Sequence, residues 1–165
     1  MKEINHVLLG RFHFEEEQCV WRQVRKISIF NKTFEANIDF LEYDEEFEQV
    51  VEFEEDTKGY FQEEQVEALV KFQEKRHEII SNLETAIFEY YQNNREVYDA
   101  PFLKNKNEIG SLLTDMGIFI ADREEAGLRK MGITFECSWE PGHGLGILLK
   151  NEEIAAVGTI DDAVV

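Results

Sequence analysis

A glutamate and a histidine three residues apart make the clearest chemical grouping in the chain, Glu140-Pro141-Gly142-His143-Gly144. Histidine titrates near neutrality, and a carboxylate beside it can raise its pKa and orient its ring, as general acid–base work requires. Asp161 and Asp162 follow the next strand and can return to the same end of a sheet. A metal ion would ask for three or more convergent ligands. The four histidines, His6, His13, His77 and His143, show no i, i+4 pairing, and His77 sits among charges on a helical stretch. Three readings of Glu140, His143 and Asp161 stand side by side: a histidine that hydrogen-bonds the turn backbone, a partner contact, or the centre of a small hydrolase or metal-dependent enzyme. The first is favoured, because polar side chains in turns mostly serve the backbone around them.

Other groupings fail on context. Gly142-His143-Gly144-Leu145-Gly146 is glycine-rich, but no helix follows whose N-terminus would hold a phosphate. Cys137 and His143 form a nucleophile–base pair on paper. However, Cys137 shares strand parity with Met131, Ile133, Phe135 and Trp139, so it points at the core, where thiols are usually inert. No serine-centred nucleophile elbow exists. The expectation is no cofactor and no catalytic residue.

The elements that position the turn follow from period-two patterning. Met131–Trp139 alternates apolar and polar residues, and Leu145, Ile147 and Leu149 alternate again beyond the turn. A reversal at Lys150-Asn151-Glu152 leads to a strand over Ile154–Thr159. Together these make a C-terminal antiparallel meander, preceded by a strand over Met116–Ala121 and a loop at Asp122–Gly127.

The N-terminal half reads as a second meander. Val7–Phe14 suggests a strand whose spacing slips at Gly10-Arg11, a bulge or bend. Cys19–Phe30 has mixed parity, Asn31-Lys32 reverses the chain, and Phe34–Phe40 alternates cleanly. Residues 42–56 then hold nine carboxylates and no base, with Val50, Val51 and Phe53 allowing a strand near Gln49–Glu54. Helical spacing takes over after Tyr60. One continuous stripe would have to bury Gln73 and Arg76, so two helices, about 61–73 and 75–94, or one bent helix, fit better. A lysine- and asparagine-rich loop follows, with a short helical turn over Ile109–Leu113. The fold expected is a single α+β domain over residues 1–165: antiparallel meanders at both ends, joined in one sheet, with the central helices on one face. Phe34, Ile38, Phe40, Leu69, Leu83, Ile87, Ile118, Ile133, Phe135, Trp139 and Ile147 are the expected core.

The 165 residues suit one domain, and 43% hydrophobic content with thirteen Phe, five Tyr and two Trp supplies an aromatic core. No apolar run approaches the about 20 residues that cross a bilayer. The N-terminus shows no secretory signal, and two cysteines make no disulfide framework, which points to the cytoplasm. Seventeen basic against 35 acidic residues give a net charge of −18. Such a surface repels nucleic acid and anionic membranes and attracts a basic protein. The acidic run, with Tyr43, Glu45, Glu46, Phe47, Glu48 and Glu52, is the candidate partner-binding segment: aromatic anchors among carboxylates. The plainer account is an edge kept soluble by like charges. Arg22, Arg25 and Lys26 form a small basic cluster that can pair internally with this run.

Over Cys137, Trp139, Glu140, His143, Gly144, Leu145, Gly146, Val157, Gly158 and Asp161, with Glu89-Tyr90-Tyr91 upstream, the chain resembles a group of small bacterial domains of unknown function. Their hairpin carries Cys-x-Trp-acid, then His-Gly-Leu-Gly; here Pro141-Gly142 stands where a second acid is expected. That group is similar to immunity-type proteins encoded beside bacterial toxins. The resemblance implies a non-enzymatic acidic protein that neutralises a basic toxin, for example a nuclease. It transfers no catalytic residue.

Overall fold

In the computed structural model, which describes residues 3–41, 61–121 and 125–163, eight strands form one sheet in sequence order. They are β1 (Glu3–His6), β2 (Gly10–Glu15), β3 (Val20–Ile29), β4 (Lys32–Leu41), β5 (Leu113–Ala121), β6 (Lys130–Cys137), β7 (Leu145–Lys150) and β8 (Glu153–Gly158). Every neighbouring pair is antiparallel except β4–β5, which runs parallel from Asn37↔Gly117 to Leu41↔Ala121. The two meanders join at that pair, so the fold is α+β with strands at both ends of the chain and helices between. The strand expected near Gln49–Glu54 lies outside the described residues.

The connection between β4 and β5 carries α1 (Glu63–Glu74), α2 (Arg76–Asn94) and a 3-10 turn (Lys106–Leu112). Gln73 and Arg76 are exposed, so the apolar stripe breaks between the helices as the spacing predicts. Gln65, almost wholly buried, accepts from the Gln62 N–H at 3.0 Å and donates to Ile120 O at 3.3 Å, tying α1 to the sheet. One sheet face meets these helices. Register places Trp21, Phe40, Ile120 and Met131 along it, and Ile38, Ile118, Ile133 and Ile147 beside them. All eleven expected core residues are buried.

Four readings need correction. Val7–Phe14 is a hairpin rather than one bulged strand. His6 Nδ1 accepts from the N–H groups of Leu8 (3.1 Å) and Leu9 (3.2 Å), closing a turn that leaves Val7 and Leu8 exposed. The first reversal sits one residue before Asn31-Lys32, with Phe30-Asn31 at its central positions, while the second takes Asn151-Glu152 within the expected Lys150-Asn151-Glu152; all four residues have φ between +47° and +66°. Left-handed Phe and Glu are costly. Burial and a 2.7 Å bond from its N–H to Glu84 Oε2 hold Phe30, and a two-pronged pair with Arg129 at 2.8 and 2.9 Å holds Glu152. β6 stops at Cys137, so Trp139 packs from the turn beyond it.

The helices do not all share one face. α3 (Ile160–Ala163) packs on the opposite side of β6–β8. Gly132 and Gly146 lie between the inward-facing residues of their strands. A Cβ on Gly132 would meet Ala163 O at 2.3 Å, and one on Gly146 would meet Thr159 O at 2.2 Å. The glycines are therefore the seat of the C-terminal turn. Gly146→Ala is expected to lower stability by about 1–3 kcal/mol through overpacking. Urea denaturation checks this, and a mutant as stable as the parent would show that α3 yields without cost.

The His6 turn carries a pH dependence. Its Nδ1 already accepts two N–H groups, and burial lowers the pKa from 6.5. The unfolded chain takes up the proton near pH 6.5 while the folded chain resists it. Stability from this group is complete above the unfolded value and is lost as pH falls below it toward the lowered folded value. His6→Asn keeps an acceptor without the titration, so its stability should fall less than the parent's between about pH 7.5 and about pH 5.5. Parallel slopes in urea melts would contradict the assignment.

Candidate functional site

The β6–β7 connection is built by backbone bonds and two left-handed glycines. Ser138 N–H donates to Leu112 O at 3.0 Å and Gly144 N–H to Glu140 O at 3.0 Å. Gly142 and Gly144 have φ of +97° and +65°. A Cβ at Gly144 would also strike the Ile160 side chain at 2.5 Å and Phe135 O at 2.7 Å, so only glycine fits. Trp139 anchors the turn from below. It is 8% exposed and meets the Tyr91 ring edge-on at 5.0 Å, while Tyr91 OH donates to Pro101 O.

Within this frame His143 and Glu140 do meet. Nδ1 lies 2.7 Å from Glu140 Oε1, with the histidine side chain 68% exposed and the glutamate 22%. The same residue's backbone carries a structural bond, because His143 O accepts from Ile160 N–H at 2.9 Å and so fixes the start of α3. Asp161 comes back to this end of the sheet but is exposed and joins neither His143 nor Glu140. Its neighbour Asp162 reaches back to Thr159 N–H at 2.8 Å, as an acid at the third helical position does for its cap.

Among the described residues, no three His, Cys, Asp or Glu side chains converge where they would hold a metal ion. Burial pushes the Cys137 thiol up to about 11, so it stays protonated at neutral pH and supplies no thiolate for a pair with His143. Two depressions lie elsewhere. One is lined by Phe72, Arg129, Met131 and Glu152, the other by Glu3, Arg11, His13 and Arg25, and neither touches the turn. An exposed imidazole–carboxylate pair at a turn holds the ring in a fixed orientation.

Tyr43, Glu45, Glu46, Phe47, Glu48 and Glu52 all lie outside the described residues. Arg22 does not wait for their acidic run: it clasps Asp39 on the neighbouring strand at 2.7 and 2.9 Å. Asp39 is 4% exposed. The pairs Arg22–Asp39 and Arg129–Glu152 escaped sequence reasoning. The only signal for the first was Asp39 at a polar position of an alternating strand, and its partner depends on register.

Two substitutions separate the roles of this turn. His143→Ala removes one exposed side-chain hydrogen bond and should cost less than about 1 kcal/mol. Trp139→Ala empties a packed aromatic site and should cost about 3–5 kcal/mol. Thermal and urea melts of both variants check the order, and a larger loss for the histidine variant would make its side chain the pin of the turn.

Among curated proteins and solved structures nothing matches this chain significantly. A family model does match, over residues 8–164, which run from the β1–β2 turn through the end of α3. The chain therefore belongs to the family described as Domain of unknown function (DUF6985).

Proposed function

We propose that this protein is a non-enzymatic binding protein that engages a basic protein partner through its acidic surface, in the manner of an immunity protein that neutralises a toxin. The observation that carries this reading is the charge: −18 over 165 residues, with nine carboxylates and no base in residues 42–56. A field of that size accelerates encounter with a cationic partner and disfavours nucleic acid. Tyr43 and Phe47 supply aromatic anchors within the same stretch. A nuclease is a fitting target class, because a groove that grips phosphates is complementary to a run of carboxylates.

Among the described residues, no third His, Cys, Asp or Glu joins the His143–Glu140 pair to hold a metal ion. In addition, no helix among them is long and apolar enough to cross a membrane.

Charge reversal tests the proposal. Changing Glu45, Glu46, Glu48 and Glu52 to Lys should slow association with the product of the neighbouring gene and flatten its salt dependence, with the fold intact by circular dichroism. A parent that does not bind that product, or a variant that binds it identically, would reduce the acidic run to a solubilising segment.

A further inference from the structure

Strand β3 has a side that nothing in the sheet covers. It pairs with β4 along its whole length, from Val20↔Leu41 to Ile29↔Lys32, but with β2 only from Val20 to Arg22. Beyond His13↔Arg22 the β1–β2 hairpin splays away. Side chains bridge the wedge in place of a ladder: Gln23 Nε2 donates to Leu9 O and Arg11 O, both at 2.9 Å, and Arg25 Nη2 donates to Leu9 O at 2.8 Å.

The direction of the open groups follows from their neighbours. In an antiparallel strand the N–H and C=O of one residue point to one side, and successive residues alternate. Lys26 O accepts from Arg76 Nη2 at 3.0 Å, and Phe30 N–H donates to Glu84, so even-numbered residues point away from β4. The N–H and C=O of Val24 and Ser28, with the N–H of Lys26, therefore face the open side with no ladder partner among the described residues. Five residues of strand, Val24–Ser28, span roughly 17 Å, enough to pair about five residues of a peptide.

The surroundings give the chemistry of the occupant. Val7, Leu8 and Val24, 87%, 65% and 53% exposed, are three of the most exposed large apolar residues in the described chain. The first two belong to the turn whose Leu9 O is bound by Gln23 and Arg25, so all three border the wedge. Arg11, Arg25 and Arg76 bring positive charge to the same place in a strongly acidic molecule, while Lys26 is paired in register with Glu35 on the other face. Glu3 and Glu15 also line it, and Glu15 is held by His13 at 2.7 Å. A second copy of this chain pairing β3 with β3 would set these cations against their own images, which disfavours that occupant.

We propose that the open edge of β3, from Val24 to Ser28, is a strand-addition site for an extended peptide with alternating apolar and acidic side chains. The incoming backbone pairs with Val24, Lys26 and Ser28, its apolar side chains cover Val24 and the Val7–Leu8 turn, and its carboxylates meet Arg25 and Arg76. The site uses none of residues 42–56, so it stands whether or not the protein binds a basic partner.

The test uses the full chain and fluorescent peptides of about six residues, one alternating Val and Glu, the other Val and Lys. Fluorescence anisotropy should show the acidic peptide binding on the order of tenfold more tightly or better. Amide hydrogen exchange should be fast at Val24, Lys26 and Ser28 in the free protein and slowed by that peptide. Val24→Pro removes an N–H that faces away from β4 and should abolish binding; Arg76→Glu, which leaves the strand backbone alone, should weaken it. The proposal is overturned if those amides are already protected in the free protein or stay unprotected with peptide. Equal binding of both peptides, or no binding, overturns it too. So does a dimer in sedimentation that Val24→Pro dissolves, since the edge would then belong to a second copy.

Discussion

The parallel pairing of β4 with β5 is the constraint on which the rest depends. Antiparallel neighbours can be joined by two residues, as Phe30-Asn31 and Asn151-Glu152 show, but parallel neighbours need a crossover long enough to return the chain to its starting end. That crossover is where α1 and α2 lie, and their placement decides which sheet face is the core. Leu69, Leu83 and Ile87 from the helices meet Ile38, Ile118 and Ile133 from the strands in one continuous apolar cluster. The two meanders are local structures, each made of short-range hairpins. The parallel pair makes them one sheet.

Polar groups carry the joints of this assembly. Gln65 ties α1 to β5, Glu84 ties α2 to the β3–β4 turn, and Arg129 ties Glu152 of the β7–β8 turn to Glu67 of α1, the latter at 3.6 Å. Each joint meets strand ends or turns, where backbone groups have left the ladder and need partners. Two of them hold residues at left-handed φ that their side chains disfavour, Phe30 and Glu152. A buried or half-buried charge that satisfies a strained turn contributes through position as much as through Coulomb energy.

Much of the fold was legible because its signals are local. The helix break near Lys75 was readable from the cost of burying Gln73 and Arg76, and the core from alternation in β4, β6 and β7. The β1–β2 hairpin was not, because its turn is closed by the His6 ring rather than by turn-forming residues; Val7 and Leu8 look like strand and are exposed. The position of α3 was also hidden. Gly132, Gly146 and Gly158 fit the strand alternation without signalling what rests on them, and the C-terminal turn packs against all three. At the candidate site, the three-residue spacing of Glu140 and His143 sufficed to predict their contact. Asp161 could not be judged from spacing, since whether it or Asp162 faces inward depends on how the chain turns after Gly158.

The charge balance gains meaning once the cations are located. Arg22 is spent on Asp39, Arg129 on Glu152, Lys32 on the carbonyls of Gly110 and Leu113, and Arg25 and Arg76 on the carbonyls of Leu9 and Lys26. Pairing with a carboxylate cancels charge, whereas pairing with a carbonyl keeps the cation in place without cancelling it. Arg22 and Arg129 are thus neutralised where they stand, while Arg25 and Arg76 keep their charge and concentrate it at the β3 edge. Among the described residues, uncancelled cations are therefore gathered at the β3 edge of a molecule whose net charge is −18.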